Sequence, residues 1–121
     1  MSVVQARSAF ARRELVEARQ PNVVNYVEQF PIDRDSTQAC ARALGIQHAV
    51  YKGSSMPVLV TPDEVFTSRS PSGDQETHAH DFVQSLAPQN KFVRDRHAIA
   101  AAHCKCEGVR YVVRSINEEY A

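Results

Sequence analysis

Apolar positions along the chain recur first at helical spacing and then in short β-branched runs. Val3, Val4, Ala6, Ala9, Phe10, Leu15, Val16 and Ala18 are interleaved with charged residues over 2–19. That pattern predicts an amphipathic helix, stopped by Pro21 and Asn22. Residues 23–30 (VVNYVEQF) are β-branched and aromatic and predict a strand ending at Pro31. Asp35 and Ser36 offer N-caps for a helix over 36–44, with Gln38 at capping-box spacing from Asp35 and Gly45 as C-terminal cap. Short strands are predicted at 48–51 and 57–60 around a turn at Lys52–Ser55, with 64–68 extending the second beyond Asp63. The polar stretch 69–78, which holds Pro71 and Gly73, reads as a loop, and 80–86 as a strand. A long helix follows over 90–106, capped by Asn90 and ended by Gly108. Phe92, Val93, Ile99, Ala100, His103 and Cys104 lie near one of its faces. Residues 109–114 make a last strand, and Asn117–Tyr120 a fraying end or final turn. The alternation predicts a single α/β domain, a central mixed sheet flanked by helices.

Composition narrows the function classes. With 121 residues, 43% hydrophobic and 23% charged, the chain has the make-up of one globular domain. Fourteen basic residues balance 14 acidic ones, which excludes the strongly basic make-up of many small DNA-binding domains. The balance conceals structure in the distribution. Residues 91–114 carry Lys91, Arg94, Arg96, Lys105, Arg110 and Arg114 against Asp95 and Glu107, and 7–19 carry Arg7, Arg12, Arg13 and Arg19 against Glu14 and Glu17. By contrast, 63–81 holds five acids and one base. No apolar run reaches the ~20 residues of a membrane span, and the first residues lack the apolar core of a secretory signal. Cys40, Cys104 and Cys106 are too few for a disulfide framework and read as reduced thiols of a cytoplasmic protein.

Glu28-Gln29-Phe30-Pro31, then Thr37, Ala41, Gly45-Ile46 and His48, resemble the TnsA family, the endonuclease subunit of heteromeric transposases. Members of that family carry an EQFP strand end, a helix finishing in LGI-x-H and a hairpin of the form P-V-V-M-T-T-D-F-L. Here the hairpin reads Pro57-Val58-Leu59-Val60-Thr61-Pro62-Asp63-Glu64-Val65 without a gap. GVRYVVRS at 108–115, followed by Asn117 and Glu118, matches the family's closing strand and acidic turn more loosely. The likeness spans about 6–118 and is most specific over 23–66. It implies a restriction-endonuclease-like fold and phosphodiester hydrolysis by a helix Glu, a strand Asp and a strand Lys, the carboxylates holding Mg²⁺.

The resemblance places Asp63 at the metal-binding Asp, but the two other positions fall on Phe10 and Val83. An apolar side chain neither ligates Mg²⁺ nor moves a proton. Restoring the site would require Glu14, one turn along from Phe10, an oxygen from Asp81 or Gln84, and Lys91 swung in from the long helix. The expectation is a catalytically inactive nuclease-fold protein with Asp63 as a remnant ligand. It would be a structural or accessory subunit contacting a protein assembly, either transposase subunits or phage structural proteins such as a head-completion component of a virion. Double-stranded DNA is a further candidate partner, met by Arg12, Arg13, Lys91, Arg94 and Arg96. The alternatives are an active Mg²⁺-dependent DNA endonuclease using Glu14, Asp63 and Lys91, and a phage-encoded inhibitor of a host enzyme.

Two further clusters tempt a metal reading. His78-Ala79-His80 with Asp81 would place two imidazoles on one side of an extended segment, but two exposed loop histidines are the simpler expectation. His103-Cys104-Lys105-Cys106 lacks the spacing of a zinc site. There Cys104 reads as a small buried hydrophobe, and His103 as a partner for the helix's last carbonyls.

Overall fold

The computed structural model describes residues 22–116. The helix expected over 2–19, with Phe10, Arg12, Arg13 and Glu14, and the acidic end 117–120 lie outside these residues. The described chain runs β1 (Val23–Glu28), α1 (Arg34–Leu44), β2 (Glu64–Arg69), β3 (Gln75–Val83), α2 (Lys91–Glu107) and β4 (Arg110–Ser115). The four strands form one sheet in the order β1-β2-β3-β4. β1, β2 and β3 are antiparallel, and β4 joins β3 in parallel after the crossover through α2. The α/β expectation of a mixed sheet with helices is met, by four strands and two helices.

Local chemistry sets most element ends. Both helices finish on a left-handed glycine, Gly45 with φ 68° and Gly108 with φ 70°. An L side chain is strained there, whereas glycine lets the cap N–H turn back onto the last carbonyls. Asn90 caps α2, its side chain accepting from Val93 N at 2.9 Å. The cap of α1 differs from the expectation. Asp33, not Asp35 or Ser36, holds non-helical angles (φ −52°, ψ 131°) and accepts from Ser36 N at 3.1 Å, so the helix starts at Arg34.

The predicted strands at 48–51 and 57–60 reduce to one bridge, Val50 with Pro57. Pro57 and Pro62 lack the N–H that a ladder needs, and Val60 leaves the hairpin to enter the core. Residues 64–69 are therefore a strand of their own rather than an extension. The predicted loop 69–78 shrinks to 70–74, because β3 begins at Gln75 and ends at Val83 instead of running over 80–86. Polar residues on both faces of Thr77–Asp81 hide the two-residue period of this strand.

Ile32, Ala41, Val60, Ile99 and Ala100 form the buried cluster between the helices and the segment leading into β2, with Cys40, Ile46 and Tyr111 packed against it. Ala79 pairs with Tyr111, so Ala79 and Asp81 share the sheet face that meets this core, and His78, His80 and Phe82 take the other. Cys104 is buried as expected, Cys40 is half-buried and Cys106 is exposed.

Candidate functional site

Asp63 sits at a bend and leads directly into β2, with its carboxylate against the end of β3. Asp63 Oδ2 accepts from Phe82 N at 2.8 Å, and Asp63 N donates to Asp81 Oδ1 at 3.1 Å. The two aspartates are thereby stitched across neighbouring strands. Asp81 is buried, and its Oδ2 accepts from Tyr111 O–H at 2.5 Å. Burial pushes the Asp63 carboxyl up to about 6; the Phe82 amide opposes this, the Asp81 charge adds to it and Arg96 opposes it. The Tyr111 phenol is pushed far up by burial and by Asp81, so it stays a proton donor.

These carboxylates line a cleft of about 540 Å³ between α2, the hairpin 47–60 and the sheet. Lys91, Phe92, Asp95 and Arg96 of α2 form one wall, and Val50 and Leu59 belong to the hairpin side. Lys91 Nζ pairs with Asp95 Oδ2 at 2.5 Å, one helical turn away. Of the site residues singled out in the sequence, Asp63, Asp81, Lys91 and Arg96 thus come to one cleft, whereas Arg94 is exposed on α2 outside its lining. Gln84 is exposed beyond the end of β3. Phe92, expected near the packed face of its helix, is instead 56% exposed at the cleft wall.

The remaining residues of the resemblance hold the scaffold. The ring of His48 bridges Ala49 O at 2.8 Å and Thr37 Oγ1 at 2.9 Å, and so clamps the hairpin onto α1. Gln29, at φ 48°, donates its N–H to Asp63 O at 2.9 Å, which fixes the entry to β2. Compared with protein-family models and with curated proteins, the chain gives no match.

Magnesium prefers several oxygens free to ligate. Asp81 has both oxygens engaged, one of them by a phenol, and the described residues hold no group of three His, Cys, Asp or Glu placed for a metal. The set present among them does not make a Mg²⁺ site. Glu14 lies outside the described residues.

The histidine expectations are corrected. His78 and His80 are on β3, not in an exposed loop. His78 stacks on Phe66 with centroids 4.8 Å apart, and His80 is buried with Nδ1 2.9 Å from Glu64 Oε1. Glu64, itself fully buried, also accepts from Tyr26 O–H at 2.7 Å. His103 does not cap α2. Its Nδ1 meets Ser36 Oγ at 2.6 Å and ties the two helices together, while Gly108 N serves the last carbonyls.

Asp95, Phe92 and Tyr111 join the site without being singled out for it by the sequence. Asp95 carries a signal, its four-residue spacing from Lys91. Tyr111 lies 30 residues from Asp81, and no local pattern announces that pairing.

Proposed function

We propose that this chain is a restriction-endonuclease-like domain related to the TnsA endonucleases that binds DNA and a protein assembly without cutting. The observation that carries this reading is the place of Val83 on β3, on the same strand as Asp81. Two residues apart, they share one face of the strand, and Val83 stands where the nuclease pattern needs a lysine to orient and deprotonate water. The order of elements and the antiparallel β1–β3 run with a parallel β4 support the fold. The exposed cations Lys91, Arg94 and Arg96 on α2 support contact with phosphates. On this reading Asp63 and Asp81 are remnants of a metal site, retained because they join β2 to β3.

One observation favours the rival, an active Mg²⁺-dependent endonuclease: Lys91 reaches the cleft that Asp63 and Asp81 share. Incubation with plasmid and branched DNA in Mg²⁺ or Mn²⁺ separates the two. The expected result is intact DNA together with a mobility shift that weakens steeply as salt rises. Metal-dependent cleavage that Asp63→Ala abolishes would overturn the binding-only reading.

A further inference from the structure

Phe92 is a large aromatic side chain left in water on the first turn of a long helix. It is flanked in sequence by Lys91 and, on the same cleft wall, by Arg96. Leu59 and Val50, also exposed, belong to the same cleft. A hydrophobic slot with cations at its edge is the combination by which proteins hold unpaired nucleotides. The π-face of a base stacks on the aromatic ring, and the neighbouring phosphate meets the cations. A duplex offers neither base face, because both are covered by the neighbouring pairs.

The charge at the helix start points the same way. The first turn of α2 has no acid, and its first residue is Lys91. Lys91 is unfavourable there against the helix dipole and, among the described residues, is met only by Asp95 one turn on, in a water-exposed pair that a phosphate can replace. Arg94 and Arg96 are exposed, and the ion pairs among the described residues do not include them. On the sheet side of the cleft the chemistry reverses. Asp63 Oδ2 is taken by Phe82 N, but no hydrogen bond among the described residues uses its Oδ1. Asp63, which lines the cleft, thus has a carboxylate oxygen left to accept from whatever enters. At roughly 300–1,000 Å³ for small-molecule pockets, a cleft of about 540 Å³ has room for one nucleotide.

We propose that the cleft holds an unpaired nucleotide of single-stranded DNA, its base stacked on Phe92, its phosphates at Lys91 and Arg96, and a base amino group donating to Asp63. This rests on the DNA-binding reading and narrows it to an unpaired strand. A thymine carries a carbonyl where cytosine carries its amino group, so Asp63 favours cytosine over thymine.

The test measures binding of the full chain to oligo(dC), oligo(dT) and a duplex of the same length, at low and moderate salt. Expected are tighter binding to oligo(dC) than to oligo(dT) or the duplex, and a loss of about five- to a hundred-fold for Phe92→Ala on the single strand alone. Because the chain has no tryptophan, Phe92→Trp places a single tryptophan in the wall, excited apart from the tyrosines at the long-wavelength edge of its absorption. Oligo(dC) should quench it while affinity is kept. Duplex binding equal to or tighter than single-strand binding, with Phe92→Ala neutral, overturns this inference and leaves the DNA-binding reading standing. Equal binding of oligo(dC) and oligo(dT) overturns the placement of the base on Asp63. Binding to none of the three overturns both readings and leaves the cleft to an apolar segment of a protein partner.

Discussion

Asp63→Asn should stabilise the protein above pH 7, although it removes a charge from the centre of the candidate site. Folding raises the Asp63 carboxyl from the ordinary 3.8 to about 6, because the group leaves water and faces Asp81. The folded protein therefore holds that proton more tightly than the unfolded chain. The stability this contributes is fully present below pH 3.8 and is lost as pH rises through 6. Complete burial would make the ionised form unfavourable by up to about 3 kcal/mol; the water that still reaches a half-buried carboxylate reduces this to about 1–2 kcal/mol. Asparagine keeps an oxygen for the Phe82 amide, and the Asp63 N–H to Asp81 bond belongs to the backbone. It gives up the attraction to Arg96, the smallest of the contributions to the shift. Urea unfolding of both proteins at pH 4 and pH 8 isolates the effect, since every other titrating group is common to the pair. The variant should gain about 1–2 kcal/mol on the wild type between the two pH values. A variant that is less stable by the same amount at both would refute the reasoning, and would mean that the Asp63 charge is paired in the folded state.

Two further expectations concern the scaffold. Ile99→Ala, in the cluster joining both helices to Val60, should cost about 2–5 kcal/mol and lower Tm, as read by calorimetry. Glu64→Gln keeps the volume of a fully buried side chain but offers only one acceptor oxygen to Tyr26 and His80. A loss of about 1–3 kcal/mol in denaturant unfolding is expected, and an unchanged midpoint would mean that the network contributes nothing net.

How much of this was legible before the structure depended on sequence separation. Gly45, Gly108 and Asn90 act on neighbours within one helical turn, and their roles as caps were readable from spacing alone. So were the α/β order and the dense apolar run of Ile99 and Ala100. The cap of α1 was misplaced by two residues because three oxygen-bearing side chains, Asp33, Asp35 and Ser36, compete there, and only the observed backbone angles select one. β3 was misread because its polar residues are satisfied across the sheet. His80 opposite Glu64 and Thr67 opposite Thr77 are bonds of register, invisible to a window that slides along one strand.

The sequence by itself determined the glycine ends of both helices, the Asn90 cap of α2, the strands β1 and β4 and the absence of a lysine two residues after Asp81. Each of these is a matter of residue type within a few positions. Only the tertiary structure decided that Asp63, Asp81 and Lys91 share a cleft, that Tyr111 reaches Asp81, and that Phe92 faces water. Those facts depend on which strands pair and how far α2 travels in its crossover. The chain adopts that geometry because it buries Ile32, Val60 and Ile99 together, and no local pattern specifies it.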